Sequence, residues 1–512
     1  MIMGSRAIGL RLRGWAPMAR GKAGYLLSFS LACSLRAIPE LASPAYPVGY
    51  DSALYAYKIA HTMEEPFICL LRTSAFFRIL CWALLELVRA DAYLLLKVVG
   101  PITYGLLALS FYALLRRGLG FGEREALLGV VICCLQIPSL RLSWDLFRNE
   151  LGLAFAFAFM TFIVSYNGKL KWPLASLLAF LAAFSHQLAS FLILIWSPWW
   201  AIRELGPDGK NVRNLLLVLL PPAGLFTYQV ATYLRILPPP CVDEVGHEVI
   251  RLEPVGLQEP PPRPFRNYFS SASLLGASYG HLVFVVLKVA AVCYLPILPL
   301  ALLGLRHRDR MLDPLVAWPS LAVATVLICP QAYPFYSFFR WLLFLVFPLS
   351  AYAIRGVEEL ELKTGRWREI LLLFLLAYSI MGLGYASGTA FRIEDKDINA
   401  FLPWSLVEST IGVGQIDDCI ACLRWLNREA GDEAVLIAEQ RFYAWALSTL
   451  DERIVIAFYP HGYPLDRIPL SELTGEFEEI YLIWYSGQRV EGFIQVFSRG
   501  DIAIYVLVAG GP

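Results

Sequence analysis

Residues 92–113 read AYLLLKVVGPITYGLLALSFYA, a run in which Lys97 alone carries a charge. A helix needs roughly 20 mostly apolar residues to cover about 30 Å of hydrocarbon, so this stretch is long enough to cross a membrane. It has company. Comparable stretches begin near residues 24, 124, 149, 173, 190, 213, 280, 312, 338 and 370, which makes about eleven candidate spans. Composition agrees: 57% of the 512 residues are hydrophobic and 17% charged, with a mean hydropathy of +0.56. Soluble domains run about 45–50% apolar and about 25% charged. That excess excludes a soluble multi-domain enzyme, and it excludes a disordered chain.

The net charge of +1 conceals two opposite regions. Residues 388–512 hold 9 Lys+Arg against 19 Asp+Glu, and residues 1–387 hold 34 against 23. The reading is a transmembrane region over 1–387 and a small acidic α/β domain over 388–512. Basic residues favour the cytoplasmic side. Segments 1–23, 116–124, 167–171, 203–213, 306–310 and 355–368 carry 20 Lys+Arg in 67 residues. Segments 36–91, 141–148, 186–189, 237–279 and 331–340 carry 11 in 121. The density difference places the N-terminus inside and the C-terminal domain outside.

Two segments test this count. Phe67–Asp91 is apolar, but Arg72, Arg78, Glu86 and Arg89 fall within about a third of the helix circumference, which suits a helix lying in the interface. Trp172–Ile202 is read as two spans split near Ser185-His186-Gln187. The N-terminal segment is read as a permanent helix, since no small-residue cleavage site follows its apolar stretch. Pro238-Pro239-Pro240 and Pro260-Pro261-Pro262 bound an outer loop expected to be irregular. In the tail, Ile416–Ala430 and Arg441–Leu450 are expected as helices. Ala434–Ala438, Arg453–Phe458 and Glu479–Tyr485 read as strands, and Phe493–Phe497 with Ile502–Val508 as a hairpin.

Polar residues gather on the outer side. Asp51 stands in Gly49-Tyr50-Asp51, and Asp145 and Arg148 in the second outer loop. His186 is at the next outer turn, and Arg340 at the outer end of the tenth span. Ionisable groups at membrane depth are costly and point to function. A carboxylate with two guanidiniums suits transfer of a sugar from a lipid phosphate. The phosphate is already a good leaving group, so the reaction needs a base for the acceptor hydroxyl and cations for the departing charge. Direct displacement inverts the anomeric centre.

Ordinary explanations stand beside these. Asp51 is also a natural N-cap for a helix starting at Ser52. Asp145 is equally a brace for Arg141 or Arg148, and Arg148 and Arg340 equally bind lipid headgroups. His186 is equally a hydrogen-bonded turn histidine, and Tyr50 an interfacial tyrosine. The ten cysteines suggest neither a disulfide framework nor a metal knot. Cys419 and Cys422 have helical spacing and lack a second pair for zinc. No Gly-rich phosphate loop follows a strand, and no basic aromatic tract suggests nucleic acid.

Leu35-Arg36-Ala37-Ile38-Pro39 followed by Gly49-Tyr50-Asp51 resembles the GT-C glycosyltransferase superfamily. The likeness extends to Ser143-Trp144-Asp145-Leu146-Phe147-Arg148-Asn149, to Phe184-Ser185-His186-Gln187-Leu188 and to the order of elements in the tail. The resemblance implies a GT-C-like polytopic helical enzyme using a polyprenyl-phosphate-linked sugar, with its site on the extracytoplasmic face of the cell membrane. Asp51 would be the base. Arg148 and Arg340 would hold the phosphate, while Asp145, His186 and Tyr50 would line the substrate pocket. The acceptor is left open among glycan, lipid and protein, and a divalent cation (Mg or Mn) is also left open. Two features depart from the metal-dependent oligosaccharyltransferases of that superfamily. Position 147 is Phe where an Asp-x-Asp-like pair would place its second carboxylate, and the tail lacks a Trp-Trp-Asp-like motif. The rival readings are a transporter or flippase of lipid-linked glycans, and a non-catalytic membrane protein with an external binding domain.

Overall fold

The structure, a computed structural model, describes residues 22–508 apart from 44, 205–208, 234–235, 238–246, 254–278, 308, 310, 329–337, 364–366, 390, 400 and 462. The basic segment 1–21 and both proline runs therefore lie outside the described residues. Helices occur at each of the eleven expected stretches. They are α1 (Ala23–Ala42), α5 (Ala92–Ala113), α6 (Glu123–Cys134), α8 (Phe147–Ser165), α9 (Lys171–Ser185), α10 (Gln187–Glu204), α11 (Gly209–Tyr233), α12 (Tyr279–Tyr294), α14 (Asp313–Ile328), α15 (Phe338–Phe344) running on into α16 (Val346–Lys363), and α17 (Trp367–Ser387). Among the described residues four helices are long and apolar enough to cross a membrane, or six if each of two bent pairs is one span.

Helix α5 shows the logic. Asp91 caps it, accepting from Tyr93 N–H at 2.8 Å and Leu94 N–H at 3.3 Å. Leu94, Val98, Ile102 and Leu106 then form an exposed i, i+4 stripe, while Leu96, Tyr104 and Leu107 on other faces are buried. An apolar stripe left open on an apolar helix suits lipid rather than water. Leu216, Leu217 and Leu220 of α11 are exposed in the same way.

Some expectations change. The second outer loop, 141–148, is almost entirely helical: α7 (Ile137–Asp145) follows α6 after a 67° bend. Pro138 lies in the first turn of α7, where a missing N–H costs nothing, but it cannot continue the α6 ladder. All nine residues of α7 are buried, so Asp145 is presented by a packed helix. Phe67–Asp91 is two helices, α3 (Phe67–Arg72) and α4 (Phe76–Val88), each too short to span. Its expected charged stripe divides, with Glu86 and Arg89 exposed while Arg78 turns inward to Glu65. The split at His186 is present, α9 ending at Ser185 and α10 starting at Gln187.

In the tail, α19 (Ile416–Glu429) and α20 (Gln440–Thr449) pack on one sheet, following the short helix α18 (Lys396–Asn399). Its strand order is β1-β3-β2-β4-β6-β5. β2 (Ala434–Glu439) is buried at every position, as a central parallel strand must be, between β3 (Val455–Tyr459) and β4 (Glu479–Tyr485). β5 (Phe493–Arg499) and β6 (Ile502–Leu507) form the expected hairpin. One strand was not expected. β1 (Val249–Arg251), from the outer loop read as irregular, adds a parallel edge to β3. A three-residue strand beside proline runs gives no alternation to read. Cys419 and Cys422 are free and buried in α19, whereas Cys69 is disulfide-bonded.

Candidate active site

Buried polar groups of α1 fix the loop that carries Asp51. Arg36, with no exposed surface, donates from Nε to Ser143 O at 2.7 Å and from Nη2 to Trp144 O at 3.3 Å, and Nη2 lies 2.7 Å from Glu40 Oε1. The other Glu40 oxygen accepts from Val48 N–H at 3.3 Å. One ion pair thus ties the C-terminal turn of α7 to the residues just before Asp51. Gly49 completes the contact: its φ is +123°, and a Cβ there would lie 2.5 Å from Trp144 O. The same glycine donates to Glu408 O at 2.8 Å, and Trp144 Nε1 donates to that carbonyl at 3.1 Å. The tail therefore closes directly over the loop.

Asp51 occupies the N-cap position of α2 (Ser52–Ala60), yet its carboxylate makes no capping hydrogen bond. The carboxylate borders two cavities instead. One, of about 430 Å³, is strongly basic: Lys58, Arg72, Arg148, Arg251 and Arg340 line it together with His186. The other, of about 540 Å³, lies against the tail, and Tyr50, Asp51, Asp145 and Arg340 are among its lining residues that precede the tail in sequence. Asp51 and Arg340 are common to both. The residues singled out from sequence thus converge, although they come from four separate stretches of chain.

Burial pushes the Asp51 carboxyl up to about 6, Asp145 adds to the rise, and Arg340, Arg141 and Arg148 oppose it. Asp145 is 3% exposed and ion-paired with Arg141, the brace that the i, i+4 spacing allows. Arg141 also donates from Nε to Phe401 O at 2.9 Å and stacks over Trp144. Arg340 Nη1 lies 3.0 Å from His186 Nε2. The other ring nitrogen, Nδ1, accepts from Leu188 N–H at 3.0 Å. Burial, then Arg340 and Arg148, hold the imidazole well below its usual pKa, which keeps it neutral. Arg148 donates to Thr73 O and contacts the Tyr55 phenol. Arg148 Nε and Arg340 Nε are buried with no hydrogen-bond partner among the described residues. Buried donors in that state are suited to an anion.

Sequence reasoning missed several cations. Arg72 was assigned to an interfacial stripe and Arg251 to an irregular loop, and Lys58 was passed over. Only the chain path brings them together. A divalent cation does not fit the described residues. Asp145 is held by Arg141, arginines flank Asp51, and no three His, Cys, Asp or Glu side chains among the described residues gather to hold a metal ion.

No family model matches this sequence, and no curated protein matches it. Among solved structures, the oligosaccharyltransferase of Archaeoglobus fulgidus, crystallised in complex with zinc and sulfate, is similar with a TM-score of 0.51 at 12% identity. The likeness covers 89% of this chain and 67% of that one. At this identity the similarity concerns the fold, which is GT-C-like.

Proposed function

We propose that this chain is an integral membrane glycosyltransferase that moves a sugar from a polyprenyl-phosphate-linked donor to an acceptor on the extracytoplasmic face. In this reading residues 1–387 form the membrane region with about eleven spans. Residues 388–512 form the external domain, and the N-terminus is cytoplasmic. The observation that carries the reading is the position of Asp51, a carboxylate without a partner among the described residues, between a basic cavity and a tail-covered one.

The donor phosphate sits in the basic cavity against Arg148 and Arg340, with His186 beside Arg340. The acceptor enters from the tail side, past Tyr50 and Asp145. Its hydroxyl oxygen bonds to the anomeric carbon while the carbon–phosphate oxygen bond breaks. The hydroxyl proton passes to Asp51, and the bonding electrons leave on the phosphate oxygen, where the guanidiniums stabilise them. Attack opposite the leaving group inverts the anomeric centre. Polar groups line the outer cavities, and the Leu94–Leu106 stripe faces out from α5, an arrangement suited to a lipid tail in the bilayer and a reacting carbon at its surface.

The test is sugar transfer from a lipid-linked donor by purified Asp51→Asn. A general base contributes about 10²–10⁴-fold, and the variant is expected to lose at least the lower figure. Wild-type turnover would remove Asp51 from the chemistry.

A further inference from the structure

The tail-side cavity has a second wall that the transfer chemistry does not use. Glu439, 2% exposed at the end of β2, holds two side chains at once. His461 Nδ1 is ion-paired with its Oε1, and Arg441 Nε lies 2.9 Å from its Oε2. Burial alone would raise this carboxyl, but His461 and Arg441 win and hold it low. Arg441 is fixed further by Tyr485, whose hydroxyl accepts from Nη1 at 3.1 Å, and by stacking over the Trp484 and Tyr485 rings. Arg441 and His461 both line the cavity. With Nδ1 occupied, the imidazole keeps Nε2 for a ligand.

Two further residues line the same cavity. Trp404 is 46% exposed, although it belongs to a segment packed against the rest of the chain. Asn399 also lines the cavity, and its amide nitrogen and oxygen are both buried without a hydrogen-bond partner among the described residues. An unmade buried amide is costly, so a ligand that satisfies both atoms relieves that cost on binding. Adjacent hydroxyls are such a ligand, since each can donate and accept. An indole face beside them offers a platform for the C–H face of a sugar ring.

The charges select further. Arg441 is neutralised by Glu439 and Arg141 by Asp145, and the remaining lining cations, Arg340 and Lys396, are matched in number by the carboxylates of Asp51 and Glu408, so the wall offers no net positive charge to an acidic ligand. An extended peptide would need main-chain groups to pair with. The segment best placed to provide them is already used: Glu408 O accepts from Gly49 and Trp144, and Ser409 Oγ donates to Gly49 O at 3.3 Å.

We propose that this cavity is a carbohydrate subsite and that the acceptor is a neutral glycan, bound through Trp404, Asn399, Arg441 and His461. The acceptor role rests on the transferase reading, but sugar binding is measured without it. Saturation-transfer NMR on the full chain in nanodiscs uses mannotriose, cellotriose and chitotriose as probes, with a blocked neutral pentapeptide alongside. Ring-proton signals are expected from at least one trisaccharide. Trp404→Ala weakens that binding about tenfold or more, whereas Trp404→Phe, which keeps an aromatic face, stays within about threefold. Asn399→Ala weakens it without touching the platform. Absence of any trisaccharide signal, a signal from the peptide alone, or binding unchanged in both Trp404→Ala and Asn399→Ala would overturn the subsite. Asp51→Asn separates the two ideas. It is expected to bind the trisaccharide while losing transfer, whereas a wild type that binds sugar but transfers none would overturn only the transferase.

Discussion

A carboxylate accepts a proton only while it is ionised, and Asp51 is built to hold its proton longer than an ordinary aspartate. Burial and then Asp145 raise its pKa to about 6, against the pull of Arg340, Arg141 and Arg148. The active form lies above that value, so turnover is expected to rise with pH through about 6 and level off beyond it. Asp145→Asn removes the like charge and releases Arg141 to act on Asp51. Both changes favour the ionised form, so the acid limb moves to lower pH. A pH–rate profile of the two proteins checks this, and a limb that stays in place or moves upward would remove Asp145 from the electrostatics of Asp51. The residue types were legible in the sequence because Asp51, Asp145, Arg148, His186 and Arg340 are ionisable groups between apolar runs. The partners were not. Asp145 sits four residues from Arg141 and three from Arg148, and only the geometry of α7, which ends at Asp145, decides for Arg141.

Elements set the distance between those side chains. Helix α7 carries Asp145, the loop before α2 carries Asp51, and Arg36 joins them by gripping the carbonyls of residues 143 and 144. Gly49 lets the loop approach: its backbone conformation disfavours a side chain, and the Trp144 carbonyl occupies the space that one would need. Gly49→Ala is expected to destabilise the protein by about 1–3 kcal/mol and to lower kcat more than it raises the donor KM, because the base moves and the basic cavity does not. Thermal unfolding with steady-state kinetics checks both parts, and a silent substitution would mean that the loop tolerates another path. The eleven long apolar stretches were legible as helices, since such runs have few alternatives. Bends were not. The 67° turn between α6 and α7 follows from Pro138, but a proline in an apolar run reads equally well as a kink or as the start of a new helix. That ambiguity is why a buried helix was expected as an outer loop.

At the scale of the whole molecule, the tail's sheet is completed by a strand from residues 249–251, far upstream in the chain. β1 pairs with β3 through Val249↔Ile456, Ile250↔Ala457 and Arg251↔Phe458, and Leu252 N–H donates to Phe458 O at 3.0 Å. This edge does more than extend a sheet. Arg251 lies on it and lines the basic cavity, so the tail helps to place a cation in a cavity that Asp51 also borders. The tail's own strands were legible from their apolar runs. The sixth, β1, was hidden because three residues in a proline-bounded loop carry no periodic signal, and because its partner lies some two hundred residues away. In the transfer proposed above, the pairing makes the donor site depend on a backbone hydrogen bond far from the reacting carbon. Ile250→Pro removes the N–H at the centre of β1 while leaving Arg251 in the chain. If β1 places Arg251, this variant should raise the donor KM about tenfold, as Arg251→Ala does, since each loses one charge-assisted contact. The double variant should then add little to either single one. Additive losses would show that β1 and Arg251 act separately, and a wild-type donor KM in Ile250→Pro would show that the edge strand does not serve the site.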